Sequence, residues 1–140
     1  MILFDTSVLS RIFRRRRPDP QEVQLTRAFE TLMASDESLG LPGIVLQEVL
    51  TGLPSERQFQ DMRARLEGAF TVVVATAEDH VEAARLRNLC VSKGANVSGI
   101  DCLIATISIA GSHQLFAVDQ DFDAIREHSA LRLFDHRDDP

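Results

Sequence analysis

The sequence is poor in lysine and cysteine and lacks any long apolar run, and each scarcity excludes a class of protein. Lys93 is the only lysine, so almost all positive charge sits on arginine, and the net charge is −6. That sum argues against broad, nonspecific nucleic-acid binding. Two cysteines, Cys90 and Cys102, form no CxxC pair and have no neighbouring histidines, so they read as buried, reduced thiols rather than a metal or redox motif. His80, His113, His128 and His136 are scattered, which speaks against a zinc site. The most apolar run, Cys102 to Ala110, is too short to span a bilayer and contains Thr106 and Ser108. The opening Met-Ile-Leu-Phe meets Asp5 at once with no positive region before it, so no secretory signal is read and a cytoplasmic location is the expectation. There is no repeat and no low-complexity linker.

What remains is a chain of 140 residues with 44% hydrophobic and 26% charged residues, enough for one domain around one core. Strand-like apolar runs alternate with helical patterns. Strands are expected at Ile2 to Phe4, Leu39 to Leu41, Thr71 to Ala75, Gln114 to Val118 and Leu131 to Phe134. Helices are expected over Ser7 to Phe13, Val23 to Met33, Pro42 to about Leu53, Gln58 to Phe70, Thr76 to Val91 and Phe122 to Glu127, with one more whose face is marked by Ile100, Leu103, Ile104, Ile107 and Gly111. Pro42 fits a first helical turn, Thr76-Ala-Glu-Asp79 resembles a capping box, and Lys93 to Asn96 reads as a turn. A helix between each pair of strands implies an α/β fold, with a central, mostly parallel sheet flanked by helices. The expected domain is 1–134, followed by a frayed acidic tail, 135–140.

In an open parallel sheet, sites form beyond the carboxyl ends of the strands. Two apolar runs here lead into aspartate: Ile2-Leu3-Phe4 into Asp5, and Leu115 to Val118 into Asp119. If both strands are central, the two carboxylates share a crevice. Their repulsion is relieved by a shared proton or a cation, and an all-oxygen site suits Mg²⁺ or Mn²⁺. Either aspartate alone is equally an ordinary turn or helix cap. Asp101, in Ser98-Gly-Ile-Asp101, fits a capping box as well as a site. Glu48 points away from the expected stripe of Leu46, Val49, Leu50 and Leu53, so it is either a solvated glutamate or a group facing an acidic crevice. The arginine run, Arg11 and Arg14 to Arg17, is either solvated loop charge or a hold on a phosphate backbone.

These residues also carry a resemblance. Ile-Leu-Phe-Asp5-Thr6-Ser7-Val-Leu resembles the opening of PIN-domain proteins. Ile44-Val-Leu-Gln-Glu48-Val-Leu-Thr-Gly52 is similar to the family's glutamate-bearing helix, and Ser98-Gly-Ile-Asp101-Cys-Leu-Ile-Ala-Thr106 to its Gly-x-x-Asp-x-x-Ile-Ala segment. Leu115-Phe-Ala-Val-Asp119-Gln-Asp121-Phe122 resembles its last acidic motif. All occur in the family's order, and the nearest subgroup is the VapC-like bacterial toxins. Ser7 stands where many relatives have asparagine, and Val118 where threonine or asparagine is frequent.

The resemblance implies a Rossmann-like fold and an Mg²⁺ or Mn²⁺ site made by Asp5, Glu48, Asp101 and Asp119. Asp121 is the alternative fourth acid, otherwise expected to cap the helix at Phe122. The implied activity is metal-dependent endoribonuclease, the toxin of a toxin–antitoxin pair, with RNA as substrate, a cognate antitoxin as partner, and a homodimer as the common state. Thr6, Ser7, Arg11, Arg14 and Arg15 are the candidate substrate contacts. The alternative is a catalytically idle PIN fold that binds RNA or protein. Other acid-and-magnesium folds fit less well. A haloacid-dehalogenase-type phosphatase needs an aspartate where Ser7 stands. A receiver domain needs a late lysine, and Lys93 precedes Asp101. A metal-dependent adhesion site needs serine where Leu9 stands.

Overall fold

The computed structural model describes residues 1–13 and 19–138. Its frame is a five-stranded sheet made of β1 (Ile2–Phe4), β2 (Leu39–Pro42), β3 (Thr71–Val73), β4 (Gln114–Phe116) and β5 (Arg132–Leu133), in the order β3-β2-β1-β4-β5. Every pairing is parallel; Leu3 lies opposite Gly40 on one side and Leu115 on the other. The helices are α1 (Thr6–Ile12), α2 (Pro20–Ala34), α3 (Gly43–Leu50), α4 (Glu56–Ala69), α5 (Ala77–Ser92), α6 (Gly99–Ala110) and α7 (Asp121–Glu127). The α/β expectation holds, with β1 central. The chain builds outward from β1 through β2 to β3, then returns to lay β4 on the other side of β1. The strand order therefore reverses between β1 and β4, and at such a point the following loops part and leave a crevice.

Local chemistry explains most boundaries. Asp19 caps α2 by accepting from Glu22 N–H at 2.9 Å, and Pro20 occupies the first turn. That cap starts the helix earlier than Val23, the first residue of its apolar pattern. Thr76 and Asp79 form the reciprocal capping box expected for α5, at 3.1 and 2.9 Å. Pro42 belongs to β2 rather than to a helical turn: its ψ of 141° is extended, and α3 begins at Gly43. α3 stops at Leu50, short of Leu53, and the chain turns through Gly52 at φ +88°, a conformation that glycine adopts freely. Three strands are shorter than their apolar runs. In particular β4 ends at Phe116, leaving Ala117 and Val118 in the loop before Asp119.

Two helix faces differ from the periodicity reading. On α3 the fully buried side chain is Val45, while Leu46, Val49 and Leu50 are half-buried. On α6 Ile100 is 46% exposed, and Cys102 and the run Ile104 to Ser108 are buried. α6 packs against α5, α7 and β4, so it is covered on several sides and a single apolar stripe does not describe it. Ser108 is satisfied by donating to the Ile104 carbonyl at 2.9 Å. Among the described residues no helix is long and apolar enough to cross a membrane.

Phe4 is the centre of the aromatic core. Its ring meets Phe29, Phe70 and Phe116 at centroid distances of 5.8, 5.1 and 5.2 Å. Past β5, Phe134 packs on Phe116, and His136 stacks on it at 5.5 Å. His136 opens a single 3-10 turn, His136–Asp138, which lies against α2. Phe4→Ala is expected to lower unfolding free energy by about 3–5 kcal/mol, as truncation of a buried phenylalanine does. Urea unfolding measures it; a loss below about 1 kcal/mol would mean that Phe4 is not the core's anchor.

Candidate metal centre

Asp5 leaves the carboxyl end of β1 and caps α1. Its backbone N–H donates to the Phe116 carbonyl at 3.0 Å, which ties it to β4. Its side chain is 5% exposed. The Ser7 backbone N–H and hydroxyl both donate to Asp5 Oδ2, at 3.0 and 2.6 Å. The same Ser7 hydroxyl accepts from Val118 N–H at 3.1 Å. One hydroxyl thus links the β1 aspartate to the β4 loop, across the point where the strand order reverses. This link was not read from the sequence, although a serine two residues after an aspartate that starts a helix is a signal for the Asp5 contact.

Asp101 sits half-buried in the first turn of α6, where Ser98 Oγ accepts its N–H at 3.0 Å. Asp119 is exposed in the β4–α7 loop and accepts Asp121 N–H at 2.9 Å. Asp121 is therefore the first residue of α7 and not its cap, which is Gln120; Asp119 holds the Asp121 N–H from the turn before the helix. Carboxylate oxygens of Asp101, Asp119 and Asp121 all lie within 4.8 Å of one another. Glu48, exposed on α3, accepts from Thr6 Oγ1 at 3.3 Å.

Asp5 stands outside that tight trio but within its field. Burial pushes the Asp5 carboxyl above the ordinary aspartate range, the Ser7 and Thr6 hydrogen bonds oppose this, and the charge of Asp119 adds to it. Asp101 is pushed up to about 7, first by burial and then by the charges of Asp5 and Asp119. Glu48 is raised by burial and by Asp5, against its bond from Thr6. Three of the five acids of the sequence reading, Asp101, Asp119 and Asp121, thus form one cluster; Asp5 is coupled to it by charge, and Glu48 is coupled to Asp5. Two like charges about 5 Å apart repel by roughly 3 kcal/mol at an effective dielectric near 20. A cluster of oxygen donors in which Asp101 holds its proton this tightly suits a hard divalent cation, which would replace that proton and offset the repulsion.

Of the other candidates, Arg11 lies half-buried in the last turn of α1. Arg14 and Arg15 fall outside the described residues. Thr6 and Ser7 are engaged with Glu48 and Asp5 through their hydroxyls.

The raised acid sets a pH dependence. In the absence of metal the folded state holds the Asp101 proton more tightly than the unfolded chain does. The stability this gives is present at low pH and is lost as pH rises from about 4 to about 7. Asp101→Asn is therefore expected to raise the urea midpoint at pH 8 in EDTA and to leave it nearly unchanged at pH 4. Mn²⁺ must displace the same proton, so its affinity for the wild type should climb by up to about tenfold per pH unit and level off above about pH 7. Calorimetric titrations from pH 5.5 to 8.5 test this; a flat affinity would show that Asp101 does not face the cation.

A family model for the PIN domain matches residues 2–128. Among solved structures, the chain is similar to FitAcB from Neisseria gonorrhoeae, with a TM-score of 0.76 at 20% identity over 99% of each chain. It is similar to a toxin-antitoxin complex from Klebsiella pneumoniae, with a TM-score of 0.67 at 21% identity over 87% of this chain and 90% of the other. It is also similar to VapC20 of Mycobacterium tuberculosis, a sarcin-ricin loop cleaving toxin, with a TM-score of 0.68 at 21% identity over 89% and 94%.

Proposed function

The chain belongs to the PIN-domain family, and on that premise we propose that it is an Mg²⁺- or Mn²⁺-dependent endoribonuclease acting as the toxin of a toxin–antitoxin pair. The observation that supports this reading is the cluster of Asp101, Asp119 and Asp121, with Asp5 coupled to it by charge and Asp101 pushed up to about 7 by burial and its neighbours. VapC20, which shares the fold, is a toxin that cleaves the sarcin-ricin loop, and this supports RNA as the substrate.

In the proposed reaction Asp5, Asp101 and Asp119 hold the cation, with Asp121 beside them. When bound, the ion supplies the means to deprotonate water near neutral pH and to offset charge on the phosphate oxygens. Ser7 fixes the rotamer of Asp5 with two hydrogen bonds and anchors it to the β4 loop. Thr6 orients Glu48. Glu48, raised above the ordinary range, is placed to take a proton from the attacking water. The water oxygen bonds to phosphorus, the bond to the 3′ oxygen breaks, and that oxygen takes up a proton. The products are a 5′ phosphate and a 3′ hydroxyl. No serine, cysteine or histidine nucleophile is required.

A cognate antitoxin is the proposed inhibitory partner, supported by likeness to a toxin-antitoxin complex. A homodimer is the proposed state. Its support is an apolar groove of about 570 Å³ between α5 and α6, lined by Leu86, Leu89, Ile109 and Ala110, with Leu89 43% exposed.

Asp5→Asn and Asp101→Asn, each checked for folding, should lower Mn²⁺-dependent cleavage of RNA by at least about a hundredfold, more than a group behind the ligands would cost. Full activity of both variants, or of the wild type in EDTA, would defeat the assignment. A folded wild type that binds RNA and never cuts it would support the idle module instead. Leu89→Glu is expected to turn a dimer into a monomer in light scattering; a dimer that survives the change does not use this groove.

A further inference from the structure

Beside the acidic crevice, the carboxyl edges of β4 and β5 and the flank of α7 enclose a second, polar cleft of about 220 Å³. Val118, Arg126, Phe134, Asp135, His136 and Arg137 line it. It adjoins the acids in two ways: Val118 precedes Asp119, and Arg126 stands on the helix that begins with Asp121. Behind its aromatic wall lies Phe116, whose ring meets Phe134 at 4.9 Å in a tilted contact and His136 at 5.5 Å with an interplanar angle of 19°. Phe134 and His136 keep partial exposure.

The cations of this cleft are held differently. Arg137 is fastened to Asp135 by two bonds, at 3.0 and 3.3 Å. Arg126 lies 3.9 Å from Asp123, beyond hydrogen-bond reach. Among the described residues it makes no hydrogen bond, only this ion-pair contact, so its planar fork of donors keeps hydrogen-bonding capacity at the cleft. Such a fork fits phosphate oxygens. Partly exposed rings beside it fit an unstacked base, which is how single-stranded RNA is commonly gripped.

We propose that this cleft is a nucleotide subsite: Arg126 holds the phosphate next to the scissile one, and the neighbouring base lies against Phe134 and His136. The assignment rests on the nuclease reading and adds where the strand lies, running from the acids toward α7. It also answers a physical difficulty, because a cluster of acids repels a polyanion and a cation at its margin is needed to hold the strand. Asp123 and Asp135 temper that cation's pull, so the subsite grips one phosphate in register without binding RNA broadly.

The test compares steady-state cleavage of a short single-stranded RNA in Mn²⁺ with NMR titration of the wild type by AMP without metal. Arg126→Ala should raise KM by roughly tenfold, the size of one lost charge-assisted hydrogen bond, with kcat within about twofold. Arg126→Lys should recover part of the loss. Asp123→Asn should lower KM, a result that a purely structural Arg126–Asp123 pair would not produce. AMP should shift the His136 ring protons, and this shift should weaken in Arg126→Ala. RNA that is cut with the same KM by wild type and Arg126→Ala overturns the subsite and leaves the nuclease standing. If the wild type cuts no RNA, the nuclease reading fails, and the AMP titration alone decides: a saturable His136 shift upholds a nucleotide site, and its absence overturns it.

Discussion

Five carboxylates drawn from β1, α3, α6 and the β4–α7 segment repel one another, and much of the local architecture holds them together against that repulsion. Asp5 caps α1, Asp101 stands in the first turn of α6, and Asp121 opens α7. Each is thus placed where unpaired backbone N–H groups and the helix dipole favour negative charge. Individual hydrogen bonds add to this, from Ser7 to Asp5, from Thr6 to Glu48 and from Asp121 N–H to Asp119. They do not cancel the burial and the repulsion that together leave Asp101 raised. The site's strain and its suitability for a divalent ion have the same origin.

The aromatic core is the other half of that arrangement. Phe4 directly precedes Asp5, and Phe116 lies three residues before Asp119. Backbone pairing sets the spacing of the two central strands; packing of these two rings, 5.2 Å apart, covers that pairing just behind the acids. It also supplies the poorly polarizable surroundings that raise the Asp5 carboxyl. Stability and chemistry pull in opposite directions here, since the charges that make the crevice useful weaken the metal-free fold.

Net charge also takes on a local meaning. An overall −6 argues against indiscriminate RNA binding, yet a phosphodiester-cleaving site must draw in a polyanion. In the proposed reading an ion among the acids and Arg126 beside them meet that need locally. Specificity in such a layout comes from where few cations stand rather than from their number.

Strand existence, helix caps and the parallel α/β layout follow from local rules: an apolar run such as Ile2 to Phe4 must be buried on both faces, and Thr76 with Asp79 caps a helix wherever it lies. Asp5, Asp101, Asp119 and Asp121 stood out as candidates for the same reason, because each sits at or beside a strand or helix end that its neighbours define, whereas Glu48, inside α3, was a candidate through the resemblance. Tertiary packing decided what locality cannot. Periodicity on α6 misled at Ile100, since a helix covered by α5, α7 and β4 no longer has one inner face. The short strands, the Ser7 bridge to Val118 and the cleft beside Arg126 depend on residues up to 111 positions apart. By itself the sequence determined which groups carry charge and which backbone ends they occupy. Only the folded sheet, by reversing its order between β1 and β4, decided that they meet, because proximity between distant segments is a property of topology and not of spacing along the chain.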